Sequence, residues 1–305
     1  MQEILPLLQA GLEGEREISF EVLDPDLAQG YAGERREIAG EVYLSRGYKA
    51  WVDLAELLKC KMLTPQATSY PLIRLRFEKL LIEDSFHTQA VEDQKEKYGV
   101  ASPYFEIQKM EEPAFLYYYL QALNNVKIEQ RKKILNLGIN RADEFAVIKE
   151  HLDPEMYAGI EFVGIDHASS AIAYAKELFP EPNMTFYTAD INHLERLELG
   201  KFDLLISIGT LQSSTVAFKP LFMSLIQEYM SQDAAIILGF PNARWIAGEM
   251  IYGAKVPNYA MSELGLLYSD VMFVKKYLQQ KQYRVTITGK QYIFLTATKI
   301  TPNAG

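Results

Sequence analysis

The chain has 305 residues, 49% of them apolar and 23% charged, with a formal net charge of −9. That is the composition of a soluble globular protein with a real core. No run approaches the ~18 apolar residues of a membrane span, and the acidic N-terminal stretch is not a secretory leader. The single cysteine, Cys60, excludes a disulfide framework, a multi-cysteine zinc site and two-thiol chemistry, and points to a reducing cytoplasm.

Residues 1–125 carry 21 acids against 13 bases, and the remainder 19 against 18. Proteins that grip long nucleic acid draw most of their affinity from a positive excess, so a nucleic-acid partner is disfavoured. In the first 125 residues, Ile18–Leu23 alternates like a strand. Tyr48–Lys61 has helical periodicity, with Trp51, Leu54, Leu57 and Leu58 on one face. Leu72–Phe77 alternates apolar and basic residues like an edge strand, and Glu112–Leu123 reads as a helix with Pro113 in its first turn. These elements predict a mixed α+β accessory segment over 1–125.

The rhythm then changes, and residues 126–305 read as a second domain. Short apolar runs at Ile134–Gly138, Phe162–Ile165, Met184–Tyr187, Phe202–Ile206 and Ala234–Gly239 alternate with helical stretches at Asp143–Leu152, Ser169–Phe179 and Phe218–Met230. A helix around Ser269–Gln280 precedes two last runs, Tyr283–Thr288 and Tyr292–Thr298. Continuous apolar runs separated by helices predict an α/β fold, doubly wound around a mostly parallel seven-stranded sheet. Only three residues separate the last two runs, so they pair as an antiparallel hairpin that closes the sheet.

The polar residues at the strand ends form an ordered series. Asn136-Leu137-Gly138-Ile139-Asn140 makes a tight turn into a helix, where Gly138 permits close backbone approach. Asp166 ends the second run and is placed to accept from ribose hydroxyls, with His167 beside it. Asp190 and Ile191 follow the third run, where a carboxylate and a backbone N–H suit an adenine ring. Ser207, Ile208 and Gly209 end the fourth run, at the mouth where a reactive group sits. Across residues 133–298 the segments ILNLGINRADEF, FVGIDHASSAIAYAKELFP, FYTADI and KFDLLISIGTLQ resemble a class I S-adenosylmethionine-dependent methyltransferase. The resemblance implies S-adenosylmethionine as cofactor. It puts Asn136 to Asn140 along the methionine half, Asp166 on the ribose, Asp190 and Ile191 at the adenine, and Ser207 to Gly209 near the sulfonium.

The first motif departs from the family pattern. Asn136 stands where the family usually has an acid, and Asn140 and Ala142 where it has glycines. Asn136 still accepts a hydrogen bond but brings no charge, and Asn140 tolerates a left-handed backbone better than most residues. A nicotinamide-binding domain needs G-x-G-x-x-G, of which only Gly138 is present. For the acceptor side the candidates are Tyr98 and Tyr104 as a cover, Gln212 after the fourth strand, and Asn242, Arg244 and Trp245 after the fifth. Nothing suggests a metal site or a fixed catalytic base. The expected function is methylation of a small molecule at O, N or C. The alternatives are an RNA or protein methyltransferase, using Arg74, Arg76 and Lys79 or Lys275, Lys276, Lys281 and Arg284, and a non-catalytic binding module. A homo-oligomer built through the accessory segment is a further possibility.

Overall fold

The computed structural model describes residues 1–81, 96–213, 215–252 and 263–300, with only the main chain of Arg244 and of 263–267. His87 lies outside the described residues. The chain divides into two compact units, one of Met1–Thr88 with Trp245–Tyr252, the other of Gln89–Arg244 with Gly253–Gly305.

The first unit opens with α1 (Ile4–Gly11), β1 (Glu17–Leu23), the hairpin β2 (Glu34–Ile38) and β3 (Glu41–Ser45), and α2 (Tyr48–Leu57). It continues with β4 (Cys60–Met62), β5 (Gln66–Ala67) and β6 (Leu72–Lys79). The sequence places β6 at an edge, but it lies between β1 and β4 and also pairs with β5. Its basic residues need no solvent edge, because Arg74 meets Glu21 at 3.1 Å and Arg76 meets Glu17 at 3.4 Å across the β1 ladder. Its other face buries Ile73, Leu75 and Phe77 against Trp51, Leu54 and Leu8. The helix expected through Lys61 ends at Leu57, since Lys59 turns left-handed and Cys60–Met62 joins β6 as a strand. Leu57 is consequently 76% exposed, and Ala55 takes its place on the buried face.

In the second unit α3 (Pro113–Asn125) precedes β7 (Lys133–Leu137), α4 (Asp143–His151), α5 (Pro154–Ala158), β8 (Glu161–Asp166) and α6 (Ser169–Leu178). Then come β9 (Met184–Thr188), β10 (Phe202–Ile208), α7 (Phe218–Ser224) and β11 (Met230–Pro241). The helix expected over Phe218–Met230 changes to a π-helical turn at Leu225–Tyr229. A hairpin of β12 (Ala243–Ile246) and β13 (Glu249–Tyr252) follows, and from Trp245 it is counted with the first unit. The chain closes with α8 (Glu263–Gln280), β14 (Tyr283–Gly289) and β15 (Tyr292–Lys299).

The seven-stranded sheet has the order β14-β15-β11-β10-β7-β8-β9. It is parallel from β11 to β9, and β15 pairs antiparallel with β11 and β14. Side chains alternate across the pleat, so each apolar run feeds both faces. Ile134, Phe162, Leu204 and Ile237 pack with Phe115, Phe145 and Ile172 from α3, α4 and α6. Leu135, Val163, Leu205 and Ile236 pack on the opposite side with Phe222 from α7 and Val274 from α8. The fold is thus a doubly wound, mostly parallel sheet ending in an antiparallel hairpin, with an accessory α+β region ahead of it. The Phe162 ring is fully buried between Phe145 and Tyr157, with centroids 5.0 and 5.1 Å away. Phe162→Ala should therefore cost ~3–5 kcal/mol, read as a lowered urea midpoint at unchanged m-value.

Candidate functional site

The carboxyl ends of β7, β8 and β10 converge. Beyond β7 the backbone is left-handed at Gly138 (φ 73°), Asn140 (φ 45°) and Ala142 (φ 58°), so the turn keeps a glycine-type path with two non-glycine residues. The N–H groups of Gly138 and Ile139 donate to the Ile165 carbonyl at 2.7 and 3.3 Å. Asp166, only 5% exposed, accepts from the Asn140 N–H at Oδ2 (3.0 Å) and from the Ala168 N–H at Oδ1 (2.9 Å). A carboxylate offers about four acceptor positions, so each oxygen keeps one for a further donor. Gly138 lacks a side chain for a reason internal to the protein, because a Cβ there would run into Thr210 Oγ1. Ser207 is buried and donates to the Leu137 carbonyl at 3.3 Å, fastening β10 to β7. Ile208 is buried, and Gly209 (φ 76°) bonds through its N–H to the Gly239 carbonyl at 2.9 Å.

The other candidates are more dispersed. His167 is exposed, with Nδ1 3.5 Å from Asp166 Oδ1. Asp190 is exposed and caps the 3₁₀ segment Ile191–Leu197, where its Oδ1 accepts from the Asn192 N–H (2.9 Å) and Nδ2 (2.8 Å); Ile191 is buried. Gln212 is buried in the turn after β10. Asn242 is bound to the tip of the closing hairpin, donating from N to the Gln291 carbonyl (2.8 Å) and from Nδ2 to the Lys290 carbonyl (3.3 Å). Trp245 falls in the hairpin counted with the first unit, and the Arg244 side chain lies outside the described residues.

Residues 96–112 are fastened to the site. Glu96 accepts from Ser169 Oγ (3.0 Å), the Ser170 N–H (3.3 Å) and Ser170 Oγ, and the Ser170 hydroxyl above all holds its carboxyl below the usual range. Asn140 Nδ2 donates to the Tyr98 carbonyl at 2.6 Å, and Arg141 to the Phe105 carbonyl at 2.8 Å. The Arg141 guanidinium also lies over Phe105, 4.8 Å from the ring centre. Tyr98 and Tyr104 pack edge to face at 5.0 Å. Lys109 Nζ stands 5.4 Å from both the Tyr104 and Tyr292 rings, and the Tyr292 ring is the nearest neighbour on the open side of Gly209. Burial pushes the Tyr104 hydroxyl up to about 12.

Lys109, Glu144 and Tyr292 escaped the sequence reading. Lys109 and Tyr292 belong to no local motif, and Glu144 reads as an ordinary acid in the first turn of a helix. The usable signal was Asn136, a missing charge that invites a search for another acid nearby. Asn136 is 1% exposed, and its Nδ2 has no hydrogen-bond partner of ordinary geometry among the described residues. It nevertheless lies against the carboxyl of Glu144, which is 7% exposed and pushed up to about 7 by burial, with Lys109 the main opposing influence. Among the described residues, no group of three or more His, Cys, Asp or Glu is placed to hold a metal ion, and no helix is long and apolar enough to cross a membrane.

The family described as a methyltransferase domain matches residues 128–285. No curated protein matches the chain by sequence. Among solved structures the chain is similar to the CMeT domain of the citrinin polyketide synthase, at 16% identity over 69% of this chain and 60% of that one, with a TM-score of 0.48. The chain thus spans less than two thirds of that protein's length. It is also similar to the plantazolicin methyltransferase BpumL in complex with a desmethylPZN analogue and SAH (13% identity, 65% and 90% covered, TM-score 0.44). A third is the magnesium protoporphyrin IX methyltransferase ChlM from Synechocystis PCC 6803 with bound SAH (14% identity, 64% and 89% covered, TM-score 0.40). With more than half of its length matched by that family, the chain belongs to the methyltransferase-domain family.

Proposed function

We propose that this chain is an S-adenosylmethionine-dependent methyltransferase that methylates a small molecule at O, N or C, at the carboxyl edge of the sheet beneath Tyr98, Tyr104 and Tyr292. The observation that carries this reading is the pair of Tyr104 and Tyr292 rings on Lys109 beside Gly209, with Tyr98 packed edge to face on Tyr104. Such a wall suits a small organic acceptor better than a polymer. The basic group Arg74, Arg76 and Lys79 offers little to RNA, since both arginines pair with glutamates and Lys79 donates to the Leu12 carbonyl. The chain's net negative charge and a buried free thiol at Cys60 accord with a cytoplasmic enzyme of this kind.

The residues present fit the cofactor. Asp166 keeps acceptor capacity for ribose hydroxyls, with His167 at its side, and Asp190 keeps Oδ2 for an exocyclic amine next to Ile191. Asn136, Leu137, Gly138, Ile139 and Asn140 form the floor of the methionine half, while Ser207, Ile208 and Gly209 border the methyl group. When bound, S-adenosylmethionine supplies an electrophilic methyl group that the acceptor takes by in-line displacement. The protein's task is to align the acceptor and exclude water, which Tyr98, Tyr104 and the fastened segment 96–112 do. The Tyr104 hydroxyl, pushed up to about 12 by burial, is further from ionisation than an ordinary tyrosine and is a hydrogen-bonding group rather than a base.

Three measurements test this. Asp166→Asn should weaken S-adenosylhomocysteine binding by calorimetry ~10–100-fold, the worth of hydrogen bonds to a charged acceptor; unchanged affinity would remove the ribose assignment. Tyr104→Ala should lower kcat/KM for the acceptor by ~100-fold, the scale of a misplaced reactant, with S-adenosylhomocysteine affinity retained. Incubation of a cell extract with methyl-labelled S-adenosylmethionine should label the low-molecular-weight fraction; label in RNA, with steep salt dependence, would reverse the choice of acceptor.

A further inference from the structure

Glu144 is buried and Lys109 half-buried, each feels the opposite charge of the other, and neither forms an ion pair with a described residue. Burying a charge without an ion-pair partner is costly; Lys109 is hydrogen-bonded to the neutral Tyr104 hydroxyl, so both groups suit a ligand that brings the opposite charges. Asn136, in β7 two residues before Gly138, is buried and lies against the Glu144 carboxyl. The amino-acid end of S-adenosylmethionine carries an ammonium and a carboxylate on one carbon, which is the complementary arrangement. Building on the cofactor reading of this site, we propose that Glu144 receives the ammonium and Lys109 the carboxylate of the methionine moiety. The charge absent at Asn136 is thereby supplied from the first turn of α4.

The surroundings of Glu144 support a titratable anchor. Lys109 is its chief counter-charge, Asp143 opposes it, and Asn136 stabilises its ionised form. Asp143 itself is 3.5 Å from Arg141, Tyr119 donates to the Glu144 main-chain oxygen at 3.1 Å, and Tyr104 and Tyr292 act through Lys109. The free carboxyl, raised to about 7, is ionised above that pH and takes a proton below it. An ammonium ligand prefers the ionised form, so its hold weakens as pH falls.

The test is calorimetry with two ligands, S-adenosylhomocysteine and 5′-methylthioadenosine, which share the nucleoside and thioether while only the first has the amino-acid end. Wild type is expected to prefer S-adenosylhomocysteine, and the ratio of affinities should fall between pH 8 and pH 6. Titration near the shared nucleoside cancels in that ratio. Glu144→Gln and Lys109→Met should each weaken S-adenosylhomocysteine ~10–100-fold, as for lost charge-assisted bonds, and leave methylthioadenosine binding intact; that retention also shows the variants folded. The ratio in Glu144→Gln should no longer vary with pH. A wild-type ratio in either variant, equal loss of both ligands, or a wild type that binds both equally overturns the proposal. A wild type that binds neither ligand overturns the cofactor site itself.

Discussion

The site depends on the Asp166 carboxylate and the backbone N–H groups that close on it. One oxygen holds the turn after β7 through Asn140, and the other holds the start of α6 through Ala168. These are charge-assisted bonds in a buried position, where each is stronger than in water and costly to leave unmade. The same contact shapes the backbone of the glycine-type turn, starts the helix after β8 and leaves an acidic edge at the mouth of the sheet. A parallel sheet covered on both faces gathers its polar strand ends on one rim, and here a single side chain joins two neighbouring ends.

Onto that rim the chain lays residues 96–112, fastened by side chains from the rim itself. Asn140, Arg141, Ser169 and Ser170 all serve both their own element and the overlying segment. The aromatic and ionisable residues Tyr98, Tyr104 and Lys109 are thereby held against Tyr292 from the closing hairpin. Asn140 and Arg141 bond to main-chain carbonyls, which fixes the backbone irrespective of what its side chains carry, while Ser169 and Ser170 hold the segment through the Glu96 carboxylate.

The sheet was legible in the sequence because its strands are continuous apolar runs, and the three-residue spacer before Tyr292 left no room for a crossover. Asp166 was legible for a related reason: an acid directly after a buried strand has nowhere to be but the rim. The accessory region was harder, because β6 alternates arginines with apolar residues and local pattern does not say whether carboxylates or water face those arginines. The helix expected through Lys61 failed at a left-handed Lys59, a conformation no propensity favours. Lys109, Glu144 and Tyr292 were invisible for a deeper reason: they come from three elements far apart in the chain, and only the folded sheet makes them neighbours.

Thr210 and Gly138 carry one more implication. The threonine side chain occupies the volume that any β-carbon at position 138 would require, so the two sites share a single allotment of space. Their substitutions are energetically coupled rather than additive. A side chain at position 138 therefore requires residue 210 to give up its own, in addition to the strain of a left-handed backbone there.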